Sequence, residues 1–107
     1  MFYSYSYSPQ RGSKQYNTVY VSNRCQNVGA EPANIPPKPP NSIKITPEII
    51  GKCIGKWTYF WTSDGTIGDG WLYVKAGDES YVYGCTWIQG NLVYYYIYLD
   101  IITNYYI

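Results

Sequence analysis

A chain of 107 residues and 12.3 kDa accommodates one domain around one hydrophobic core, since domains cluster near about 100–150 residues. Charged residues make up 14% and aromatics 20%, through fifteen Tyr, four Trp and two Phe, whereas an average globular protein is roughly 25% charged. The absence of His removes imidazole acid–base chemistry, Ser–His and Cys–His nucleophile pairs and imidazole-bearing zinc sites, and a formal net charge of +1 supplies no field for phosphate backbones. An enzyme, a cofactor, a bound metal and a nucleic-acid partner are therefore not expected.

The first ten residues, MFYSYSYSPQ, carry no basic segment, no apolar run and no small-residue cleavage site, so no secretory signal is read there. Tyr3, Tyr5 and Tyr7 alternate with Ser and would share one face of an extended chain. Residues 16–25, YNTVYVSNRC, alternate and are rich in Val, Thr and Tyr, the pattern of a strand that needs another sheet's edge. Six of the seven Pro lie before position 43, and the run Ile35-Pro36-Pro37-Lys38-Pro39-Pro40 favours an extended polyproline segment. Residues 1–42 thus read as an extended Tyr- and Pro-rich arm and linker, and residues 43–107 as an antiparallel β domain.

In the second part, Thr46-Pro47-Glu48 has a capping residue followed by Pro at the first helical position, and Gly51 closes a single helical turn. Residues 54–62 place Trp57, Tyr59 and Trp61 on one face with strand period. Asp64-Gly65, Gly77-Asp78 and Gly90-Asn91 follow at intervals of thirteen, each a pair suited to a tight turn. Between them, residues 70–75, 80–88 and 92–103 are rich in Tyr, Val, Ile, Thr and Trp without internal Pro. The fold class is all-β, and a four-stranded meander, or a small sandwich or jelly-roll-like domain, is expected. The hairpin across Gln89-Gly90-Asn91 is its most specific element.

The last strand is apolar on one face and a Tyr ladder on the other, so both faces want cover. Its span of residues 92–107 holds one charged residue, Asp100, and lacks the Lys or Pro that usually guards a sheet edge. The apolar stretch 92–102 is too short for a membrane-spanning helix of about twenty residues. The arm carries Arg11, Lys14, Arg24 and Lys38 against Glu31, and the remainder four Lys against six acids, so arm and body attract.

These features predict a self-assembling structural protein whose arm donates a strand to a neighbouring subunit. Tyr16, Val19, Tyr20 and Val21 are the expected contacts, and fibres or surface layers the expected products. The three cysteines, Cys25, Cys53 and Cys85, match neither redox nor zinc spacing; they are either buried thiols or interchain disulfide candidates, with Cys25 foremost because it lies in a polar segment. In an intrachain version the arm folds back on its own sheet. The competing functional reading is a carbohydrate or cell-wall binding module in which Trp57, Trp61, Trp71 and Trp87 stack on a polysaccharide surface; their exposure discriminates, because a core this small also needs them. Asp64 and Asp69 in DGTIGDG serve turns rather than acid–base chemistry, and Cys85 has no His to activate it.

Gly70-Trp71 followed by WIQGNLVYYYIYLDII over residues 87–102 resembles a pattern in small aromatic-rich proteins of endospore-forming bacteria, where a GW segment precedes a W-x-x-G-x-x-V-Y hairpin and a closing strand. The Cys-bearing arm before a small β domain is similar in plan to the subunits of endospore appendage fibres. The resemblance implies a structural protein of the spore surface or extracellular space, exported without a classical signal peptide.

Overall fold

The computed structural model describes Phe2 and residues 24–107. The expected arm contacts Tyr16, Val19, Tyr20 and Val21 lie outside the described residues. One short helix, α1 (Pro47–Cys53), precedes five antiparallel strands: β1 (Trp57–Thr62), β2 (Gly70–Gly77), β3 (Tyr81–Ile88), β4 (Asn91–Tyr98) and β5 (Ile102–Tyr106). A 3-10 turn over Leu99–Ile101 joins the last two. The sheet order is β4-β3-β2-β1-β5.

β2 belongs to two halves of this sheet. Its first residues pair with β1, from Trp57 opposite Tyr73 to Phe60 opposite Gly70, and its last residues pair with β3, from Tyr73 opposite Cys85 to Gly77 opposite Val82. The register shifts between Val74 and Ala76, and such an irregularity bends a strand and lets it pass from one layer to another. Connectivity demands the bend. In a flat sheet β4 and β5 would stand about 19 Å apart at roughly 4.8 Å per strand, yet the four residue steps from Tyr98 to Ile102 reach at most about 14 Å. The sheet therefore curls on itself around Phe60, Leu72, Val74, Val82, Tyr95 and Ile97, and the 3-10 turn closes one end.

Two features differ from the sequence reading. The stretch expected as a single last strand over 92–103 is divided, because Leu99 and Ile101 turn to bridge opposite ends of the sheet: Leu99 N donates to Ser80 O at 2.8 Å and Ser63 N to Ile101 O at 2.8 Å. The four-stranded meander thus becomes five-stranded. The helix is also longer than the one turn expected. Thr46 caps it as the sequence indicates, its hydroxyl accepting from Ile49 N at 3.3 Å, but Ile50 and Cys53 supply a buried stripe that carries it through seven residues. Ile50 sits over Gly77, where any side chain would meet its Cγ2, so the glycine is the seat that admits the helix.

The hairpin over residues 88–91 has the anticipated two-residue loop. Gln89 (φ 51°) and Gly90 (φ 83°) both adopt left-handed backbone, the conformation that matches strand twist in such loops. Phe2, near the start of the expected arm, lies in the core. It is fully buried and stacks on Tyr95 with centroids 5.4 Å apart.

Candidate association surface

Strand alternation sends Tyr81, Tyr83 and Cys85 of β3 and Leu92, Tyr94, Tyr96 and Tyr98 of β4 to the outer face of the curled sheet. Three residues of this face close onto their own chain. Cys25 is bonded to Cys85, with Cα atoms 5.7 Å apart, and Val28 packs beside the bond against Trp57, Tyr73, Leu92 and Tyr94. Trp57 Nε1 donates to Val28 O at 3.1 Å and fixes the same segment.

The disulfide corrects the interchain assignment of Cys25 and Cys85. Segment 24–28 crosses the outer face and buries Cys25, which its polar neighbours in sequence would not have done, so the two thiols meet within one chain. Cys53 is free and fully buried under the helix, donating to Ile49 O at 3.4 Å. Burial pushes its thiol pKa up, opposed by the Thr58 hydroxyl and the nearby Lys56 charge. A protonated, enclosed thiol of this kind is a poor partner for any disulfide.

The four Trp do not form a row. Trp61 and Trp71 are buried with Tyr59, Trp71 edge-on to Tyr59 at 5.2 Å and Trp61 at 4.8 Å, and Trp57 is half-buried. Trp87 is exposed on the outer face of β3, opposite Leu92. Trp71 Nε1 is buried without a hydrogen-bond acceptor among the described residues, and so is Asn104 Oδ1 without a donor.

Besides Trp87, the solvent-facing aromatics of this face include Tyr96 and Tyr98, which sequence reasoning assigned only to a ladder. Tyr96 is 50% exposed and Tyr98 45%, and both pack against Tyr81 with centroids 5.3 Å away. Interplanar angles of 84° and 44° make this a tilted cluster rather than a flat platform. Arg24 lies over the Tyr94 ring at 4.7 Å. At the other end the Tyr83 hydroxyl donates to Asp78 Oδ2 at 2.9 Å. Asp78 also accepts from Ser80 N and Tyr81 N at 2.9 and 2.8 Å, and these bonds hold its carboxyl below the usual range while raising the Tyr83 phenol. Pro47, Asp78, Glu79, Ser80, Tyr81 and Tyr83 line a cleft of about 560 Å³ there.

The free edge of β4 borders this face. In a two-residue hairpin the flanking pair, Ile88 and Asn91, exchanges both backbone bonds, and every second pair after it does the same: Thr86 with Val93, Gly84 with Tyr95, Val82 with Ile97. The backbone groups of Leu92, Tyr94, Tyr96 and Tyr98 consequently point away from β3, and among the described residues nothing bonds to them. The register runs unbroken over eight pairs, and β4 has no charge and no Pro. The usual edge defences of charge, Pro or bulge are all missing.

No protein-family model, curated protein or solved structure matches the chain.

Proposed function

We propose that this protein is a self-associating structural unit that joins other subunits through the edge of β4 and the tyrosine cluster beside it. The observation that carries the reading is the row of outward N–H and C=O groups on an uncharged strand flanked by half-exposed rings. Strand addition would satisfy those groups in a ladder, and rings at its border would lose water in the same step. Residues 16–21 of the arm, with Tyr16, Val19, Tyr20 and Val21, would supply a further contact that extends pairs into fibres or layers. The tilted rings and the burial of Trp61 and Trp71 support association over stacking on a polysaccharide. A disulfide fits an oxidising location, and the resemblance noted above makes the spore surface or extracellular space the proposed one.

Sedimentation velocity over a wide concentration range tests the reading. Tyr96→Pro removes one outward N–H and leaves the β3 ladder intact, so it should keep the fold, read by circular dichroism, and shift the protein toward monomer. A wild-type protein that stays monomeric at every concentration would reject it.

A further inference from the structure

A sheet has two edges, and here the first part of the second, at Thr103 and Asn104, is covered. Ile43 N donates to Thr103 O at 2.8 Å and Asn104 Nδ2 donates to Asn41 O at 2.7 Å, so residues 41–43 lie along β5. Head-to-tail growth requires two different complementary surfaces, whereas an edge that pairs with its own copy does so about a two-fold axis. We infer that the occupant of the β4 edge is a second copy of this chain, in an antiparallel two-fold dimer with β4 against β4. The inference rests on the self-association proposed above and specifies its geometry.

Register follows from the outward groups. Centring the axis on Tyr95 sets Leu92 opposite Tyr98 of the partner subunit and Tyr94 opposite Tyr96 of the partner subunit. In that register all four outward residues of each copy enter hydrogen-bonded pairs, and moving the axis along the strand strands at least one of them. Charge favours the same direction. Arg24 lies over Tyr94, on the Leu92 side of the axis, and Asp78 and Glu79 lie beside Tyr81, which pairs with Tyr98 on the other side. An antiparallel pair carries the basic corner of each copy toward the acidic corner of the other, while a parallel pair would bring like corners together.

Two experiments on the full chain decide the matter. In the first, sedimentation at low salt compares wild type with Glu79→Arg, Arg24→Glu and the double variant. Each single reversal should weaken the dimer about fivefold or more, and the double should recover to within about twofold of wild type. In the second, mild oxidation of Leu92→Cys/Tyr98→Cys should give a reducible dimer band, which neither single variant yields to the same extent, since paired Cα atoms in such a ladder are about 5.5 Å apart. Assemblies larger than two through β4, or a dimer with neither charge recovery nor the double-variant crosslink, would overturn the two-fold arrangement while self-association stands. A strictly monomeric wild type would remove both.

Discussion

Cys25 and Cys85 enclose a sequence separation of 60, and loop closure of that size in the unfolded chain is worth about 4 kcal/mol in the chain-entropy description. Replacing both by Ser should lower the stability by about 2–4 kcal/mol in chemical denaturation and release segment 24–28 from Trp57, seen as a change in Trp emission; a loss below about 1 kcal/mol would mean the bond does not constrain the fold. Gly84 makes a different demand. A Cβ there would strike the Tyr73 carbonyl and sit 2.9 Å from Leu72 Cγ, so Gly84→Ala should destabilise by about 1–3 kcal/mol, measured by the denaturation midpoint. Asp78 acts through pH. Its folded pKa is lowered, so its contribution is present above the ordinary carboxylate range and is lost as pH falls through the lowered value. Asp78→Asn should flatten the acid side of the stability–pH profile, and an unchanged slope would refute the assignment. Tyr83, raised by the same bond, contributes below the ordinary phenol pKa and loses that contribution as pH rises through the folded one.

Among the elements, β4 is where composition and position coincide. Its inward residues Val93, Tyr95 and Ile97 fill the core, so the strand is held firmly, yet among the described residues nothing bonds to its outward backbone. Tyr96→Pro separates those two roles, because Tyr96 lies outward in the ladder and is half-exposed: the variant should remain folded and associate less. Ile97→Pro would instead break a β3 bond and should unfold the hairpin. The helix shows the converse case, in which a short element is stabilised by its neighbour. Its seven residues are too few for a stable isolated helix, and Ile50 over Gly77 ties it to β2. At the other edge, residues 41–43 cover the start of β5 through Thr103 and Asn104.

For the whole molecule, burial of Cys53 makes its thiol a reporter of global opening. Labelling by a thiol reagent should be negligible in native conditions and should follow unfolding, and rapid native labelling would show that the helix lifts independently. The all-β class, the strand periods, the Thr46 cap and a two-residue hairpin turn around Gly90 were legible in the sequence because each depends on neighbours a few residues away: side-chain alternation, a short hydroxyl, and a glycine that tolerates positive φ; that the turn takes Gln89-Gly90 rather than Gly90-Asn91 was not. Local signals did not reveal the division of the last strand, since Leu99 and Ile101 alternate like strand residues and turn only because the curled sheet must be bridged. Nor could they pair the cysteines. Cys25 is polar in its sequence context and becomes buried only when segment 24–28 crosses the outer face, and Phe2 reads as part of a tail until Tyr95 receives it. The sequence by itself determined which residues alternate and where the chain can turn; the tertiary structure decided which edge stays open and which tyrosines meet water, because both depend on how one bent strand folds the sheet over its own core.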